Sequence, residues 1–155
     1  MDPKRILFVC LGNICRSPAA EEIMRVMAAD AGVGVEVDSA GTGNYHIGEI
    51  PDKRMRVHAL RRGYDLSRHS CRQVSADDFD RFDLIVGMDA SNVANLRRMA
   101  PSPEAERKVV GIGEFLDPGM GFDHIPDPYY EGAEGFERVL TLLENGCSRL
   151  ISTLR

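Results

Sequence analysis

The sequence predicts an α/β fold: a doubly wound, four-stranded parallel sheet with helices on both faces. Four short apolar runs, at residues 6–9, 35–40, 82–88 and 108–113, alternate with stretches whose apolar residues recur at helical spacing. Strands joined through helices run parallel and are buried on both sides. The first run ends directly on Cys10, and a glycine-bearing loop leads from it into a proline-marked helix start. The 155 residues are expected to form one domain, 1–155, large enough to bury about two-thirds of its unfolded surface.

Each element has its own justification. Ile6-Leu7-Phe8-Val9 is the first strand. Ser17 is the expected cap of the first helix and Pro18 its first helical residue. Ala20, Ile23, Met24, Met27 and Ala28 then share one face, and Gly32 suits the stop. Val35–Ala40 is the second strand, followed by turn formers over 41–46. A helix from about Asp52 to Arg62 carries basic residues and closes at Gly63. Ser75-x-x-Asp78 has the form of a capping box before a short helical turn anchored by Phe79. Phe82–Met88 is a buried strand by composition, and a helix from about Ser91 to Met99 is stopped by Pro101. Lys108–Gly113 supplies the fourth strand. After a proline- and glycine-rich loop over 117–132, Phe136, Val139, Leu140, Leu143, Cys147, Leu150 and Ile151 line the core face of the last helix.

The loop Cys10-Leu11-Gly12-Asn13-Ile14-Cys15-Arg16-Ser17 carries the chemistry. A tight turn into a helix aims backbone N–H groups and the positive end of the helix at one point, a setting for an anion. Arg16 adds a planar fork suited to phosphate oxygens. Cys10, at the floor of the same positive field, is placed to act as a thiolate nucleophile toward phosphorus. No other cysteine has an arginine six residues on: Cys15 meets Glu21, Cys71 meets Asp77 and Cys147 meets Thr153. Only Cys10 also lies between a strand and a helix. A thiolate that displaces a phosphate ester needs a proton donor for the leaving oxygen. Asp127, set between Pro126 and Pro128 in the loop after the fourth strand, leaves the sheet on the same edge as Cys10.

The run Val9-Cys10-Leu11-Gly12-Asn13-Ile14-Cys15-Arg16-Ser17-Pro18 resembles the signature of the low-molecular-weight protein tyrosine phosphatases, and later segments extend the likeness over nearly the whole chain. The resemblance, together with right-handed crossovers, implies strand order 2-1-3-4, so the switch point falls at Cys10. Asp127-Pro128-Tyr129-Tyr130 resembles the family's general-acid loop. The likeness further implies that Asn13 and Ser17 shape the loop and stabilise the thiolate, and that His69 supports Asn13. Leu11, Gly12, Ile14 and Cys15 complete the phosphate-binding loop. Met88-Asp89-x-Ser91-Asn92 matches a segment expected to be structural. Tyr45 and Tyr129 are expected to wall the pocket and stack on a substrate ring, with Tyr130 in support. The implied reaction is a double displacement through phosphocysteine, acting on phosphotyrosine proteins or aryl phosphates, with inorganic phosphate or other oxyanions also bound. Relatives acting on phosphoarginine resemble this loop but carry Thr where Ile14 stands.

Composition narrows the partners. A net charge of −5 disfavours nucleic acid, and no run is long and apolar enough for membrane insertion. Residues 53–72 hold seven Lys/Arg against Asp65 alone, a stretch that could steer anionic substrates, while 117–137 hold six acids and no Lys or Arg. The four histidines lack metal-ligand spacing, and Gly111-Ile112-Gly113 is an incomplete dinucleotide fingerprint, so neither a metal nor another cofactor is expected. Four cysteines without an export signal read as cytoplasmic thiols, and a monomer is expected. Cys15, five residues beyond Cys10, is placed to trap an oxidised Cys10 as a disulfide. Two other readings use the same loop: arsenate reduction, which lacks a closely spaced downstream cysteine pair here, and a phosphocarrier without turnover.

Overall fold

The computed structural model describes residues 3–155. Four strands, β1 (Lys4–Cys10), β2 (Val35–Gly41), β3 (Leu84–Gly87) and β4 (Val109–Gly111), form one parallel sheet in the order β2-β1-β3-β4. Helices α1 (Arg16–Ala31), α2 (Lys53–Arg61), α3 (Asp78–Arg81), α4 (Ala90–Met99), α5 (Pro103–Arg107) and α6 (Ala133–Thr153) cover it. Among the described residues no helix is long and apolar enough to cross a membrane.

The period-2 alternation of a strand divides β1 between two cores. Ile6, Phe8 and Cys10 pack with α1, α2 and α6 on one face. Leu7 and Val9 pack with Phe79, Phe82, Leu96 and Ala105 on the other. Every residue from Ile6 to Val9 is fully buried, which explains why this strand reads as a continuous apolar run. The apolar stripe on α6 faces α1, as its spacing predicts, and Phe136, Val139, Leu143 and Cys147 are buried there.

Several boundaries differ from the sequence reading. The first helix starts at Arg16, so Ser17 lies inside it and does not cap it, and Pro18 is its third residue. Proline is still tolerated there because the N–H groups of a first turn have no helical acceptor to lose. Gly32 ends the helix with φ of 72°, as expected of a left-handed stop. The fourth strand is shorter than Lys108–Gly113: after Gly111 the chain tightens into a 3₁₀ turn, Ile112–Phe115, with the Gly111 N–H held by the Glu114 carboxylate. Helix α5 has no counterpart in the sequence reading, although Ser102 caps it and Pro103 opens it. In the Ser75–Asp78 box, the expected return bond is made by Asp78, which accepts from the Ser75 N–H, while Asp77 is the cap position.

Candidate active site

Five residues, Leu11–Cys15, link β1 to α1. So short a reversal forces one residue into the left-handed region, and Asn13, with φ of 58°, takes it. Asparagine tolerates that conformation better than most residues. Its buried amide is used completely. Oδ1 accepts the Arg72 N–H at 3.0 Å and lies 2.7 Å from His69 Nε2. Because Arg72 N is a donor, Nδ2 is the end that points to the serines, donating to Ser17 Oγ at 2.9 Å and Ser39 Oγ at 3.0 Å. Ser39 passes its own hydrogen to Glu21 Oε1 at 2.7 Å. Ser17 Oγ has one hydrogen and two acceptors within reach, Cys10 Sγ at 3.0 Å and the Ala40 carbonyl at 3.4 Å. The sulfur is the nearer of the two and stands at the end of the chain that runs through Asn13.

The loop's carbonyl groups face outward. Those of Cys10 and Leu11 accept from Thr42 and Gly43, that of Asn13 from the Cys71 thiol, and that of Ile14 from Asp52. The N–H groups of residues 12–16, by contrast, have no protein acceptor among the described residues. They are left for an anion above Cys10, at the positive end of a 16-residue helix. The close approach that makes this possible requires Gly41, whose added Cβ would lie 2.6 Å from the Leu11 carbonyl oxygen and 3.0 Å from Asn13 N.

Arg16 is 4 % exposed, and its Nη1 donates to Asp89 Oδ2 at 2.7 Å and to the Ile125 carbonyl at 3.0 Å. Burial opposes its charge, but Cys10 and Asp89 outweigh that and raise its pKa further. The Ile125 N–H donates to Met88 O beyond the end of β3, which carries the acid-rich loop back to the site. Asp127 Oδ2 reaches to 4.0 Å from Arg16 Nη2, and Asp127 is half-exposed. The resulting pocket, about 430 Å³, has Cys10 and Arg16 at its floor and Tyr45, His46, Tyr129 and Tyr130 at its sides. Tyr130 stands almost fully in solvent, edge-on to Tyr129. Cys15 lines the same pocket, and burial, then Cys10, pushes its thiol well above the ordinary range.

A family model described as low molecular weight phosphotyrosine protein phosphatase matches residues 5–155. The chain belongs to this family. A low molecular weight protein-tyrosine-phosphatase of Streptomyces coelicolor is 43% identical over 154 residues, covering 97% of this chain and 93% of its own. The human low molecular weight phosphotyrosine protein phosphatase is 41% identical over 138 residues, covering 88% and 86%. The crystal structure of a protein tyrosine phosphatase from Entamoeba histolytica, with Hepes in its active site, superposes with a TM-score of 0.93 at 40% identity, covering 97% of this chain and 96% of that one.

In this phosphatase, every site residue expected from sequence lies at the pocket or in the hydrogen-bond network behind it. Leu11, Gly12, Ile14 and Cys15 line the pocket, while Asn13, Ser17 and His69 form the network. Other residues go unread in the sequence. Glu21 and Ser39 complete the network, and Asp89, expected to be structural, both caps α4 and grips Arg16. Asp52 and Arg54 bridge the two loops at the site. Only Asp89 and Asp52 carry a local signal, each standing at a helix N-cap. Glu21, Asp38 and His69 bring potential ligand atoms within 4.8 Å of one another, but both carboxylates already have guanidinium partners, Arg25 and Arg72. The cluster reads as an ion-pair network, its histidine pKa lowered by burial against the opposing pull of Glu21 and Asp38.

Proposed function

We propose that this enzyme hydrolyses phosphotyrosine and other aryl phosphates by two displacements at Cys10. The observation that carries the reading is the Cys10 sulfur in a loop whose five N–H groups, 12–16, have no acceptor among the described residues, with Arg16 and Asp127 4.0 Å apart in the same pocket. In the first step sulfur attacks phosphorus and the P–O bond to the phenol breaks. Arg16 and the loop amides hold the equatorial oxygens as charge develops, and Asp127 gives its proton to the leaving phenolate. In the second step a water molecule loses a proton to Asp127 and attacks phosphorus, releasing phosphate and restoring the thiolate. The cationic groups needed at phosphorus all come from the chain itself.

The pocket's aromatic walls fit a flat leaving group, and Ile14 offers no polar contact to a guanidinium. We therefore expect phosphotyrosine to be preferred over phosphoserine, phosphothreonine and phosphoarginine. Cys10→Ser should abolish turnover while vanadate or phosphate still binds. Asp127→Ala should cost on the order of 10²–10⁴-fold with phosphotyrosine, the usual size of a general-acid contribution, and much less with an activated nitrophenyl ester. Comparing kcat/KM across these esters tests the assignment. A defect that ignores leaving-group basicity would remove Asp127 from the role.

Oxidation belongs to the same reading. Peroxide would convert the Cys10 thiolate to sulfenic acid, and the Cys15 thiol would displace water from it to form a Cys10–Cys15 disulfide. The four free cysteines suit a reducing, cytoplasmic setting in which thiols reverse that bond. Wild-type enzyme should regain activity on thiol treatment, and Cys15→Ala should recover poorly; equal recovery would reject the trap.

A further inference from the structure

Asp127 is held by one hydrogen bond of its own, the Tyr129 N–H donating to Oδ1 at 3.0 Å. Such a short-range turn fixes the carboxylate only as well as the Tyr129 peptide is itself fixed. The other end of that residue is held from α2: Arg54 Nη1 donates to the Tyr129 carbonyl at 2.9 Å. The Arg54 guanidinium also lies 5.2 Å from the centre of the Tyr129 ring and 4.8 Å from that of Phe136, within cation–π range of both. Its other two nitrogens each donate to Asp52, Nε to Oδ1 at 3.2 Å and Nη2 to Oδ2 at 3.0 Å. Asp52 is tied in turn to the 11–15 loop, its N–H donating to the Ile14 carbonyl at 2.7 Å.

A continuous path thus runs from Ile14 through Asp52, Arg54 and Tyr129 to Asp127, joining the anion loop to the carboxylate loop. We propose that Arg54 is a positioning residue that sets the proton donor over the leaving oxygen. This rests on the reading of Asp127 as the general acid. Arg54 engages a carbonyl, a carboxylate and two ring faces at once, which only a planar, multidentate cation can do, so lysine is a poor substitute. An Arg–Asp pair whose arginine is half-exposed holds little by itself, and the ring faces and carbonyl supply the rest of the anchorage.

The test is a double-mutant cycle with Arg54→Met and Asp127→Ala, using phenyl phosphate and 2,4-dinitrophenyl phosphate. Arg54→Met should lose on the order of 10–100-fold in kcat/KM, which reports the ester-cleaving step alone, with phenyl phosphate, the scale of a misplaced catalytic group. It should lose little with the dinitrophenyl ester, keep the inhibition constant for inorganic phosphate, and add no further loss to Asp127→Ala. Arg54→Lys should recover only part of the loss. Equal losses on both esters, weakened phosphate inhibition, or additive losses in the double variant would overturn the proposal. A second readout is independent of turnover: hydrogen exchange of the Tyr129 amide should speed up about tenfold in Arg54→Met. Unchanged exchange would overturn the latch even if Asp127 proved not to be the acid. Failure of Asp127→Ala alone to discriminate between the esters would instead reject the acid assignment.

Discussion

At the scale of single residues, the site depends on Asn13, whose backbone conformation and side chain are both committed. Asn13→Ala would leave Ser17, Ser39 and His69 short of a partner and put a residue with no compensating side chain in the left-handed region. We expect a loss of roughly 2–4 kcal/mol in denaturant unfolding, from unsatisfied groups plus backbone strain, together with loss of turnover. The cysteines separate by environment in the same way. Burial pushes the Cys71 thiol up to about 11 and also holds Cys15 and Cys147 well above the ordinary range. All three stay protonated at neutral pH and react slowly with a dissolved alkylating agent, whatever a neighbouring sulfenic acid could draw from Cys15 at close range. Iodoacetate at pH 7 should therefore modify Cys10 alone, and inorganic phosphate should protect it; peptide mapping that found Cys15 or Cys71 alkylated at a similar rate would contradict this.

At the scale of elements, strand and loop geometry have to match to within a methyl group. Gly41, the last residue of β2, sits beside Cys10 in the parallel register and under the turning loop. Gly41→Ala has no room, and relief must come from the loop backbone because the nearest atoms are all main chain. We expect about 1–3 kcal/mol of destabilisation from overpacking, and weaker vanadate inhibition because the N–H groups no longer converge. An unchanged inhibition constant would show that the loop can shift without opening. Asp52 joins an element to the site in another manner, capping α2 through the Arg54 and Met55 N–H groups. Asp52→Ala should cost about 0.5–2 kcal/mol as a lost cap, measurable by thermal or urea unfolding.

At the scale of the whole molecule, the basic stretch over 53–72 does less steering than its charge implies. Arg54 is paired with Asp52, Arg62 with Glu137 and Glu144, and Arg72 with Asp38 and Asp78. These pairs tie α2 to α6 and the segment before α3 to β2, so much of the positive charge is neutralised within the fold. Asp78 is 1 % exposed and accepts two hydrogen bonds from Arg72. Arg72→Met would leave that carboxylate buried without its partner and should cost roughly 3–5 kcal/mol in denaturant unfolding. A loss below 1 kcal/mol would mean that water reaches Asp78.

The sequence by itself determined the alternation of strands and helices and the place of the anion loop, because both rest on local rules. Apolar spacing identifies a core face, and a short glycine-bearing turn before a helix leaves N–H groups unpaired wherever it occurs. Cys10 and Arg16 stood out by the same local rules, whereas Asp127 stood out chiefly through the likeness of Asp127-Pro128-Tyr129-Tyr130 to the family's acid loop; the three line one pocket. Ser17 was legible as a functional residue but not in its place, since its position before Pro18 imitates a cap while the helix begins at Arg16. Helix α5 carried a readable Ser102-Pro103 start that its shortness concealed. Only the tertiary structure decided that Glu21, Ser39 and His69 stand behind Asn13, and that Arg54 reaches Tyr129 from a helix 75 residues away in the chain. Such partners are chosen by where the parallel crossovers bring separate segments together, and a hydrogen bond between remote side chains leaves no periodicity in the sequence.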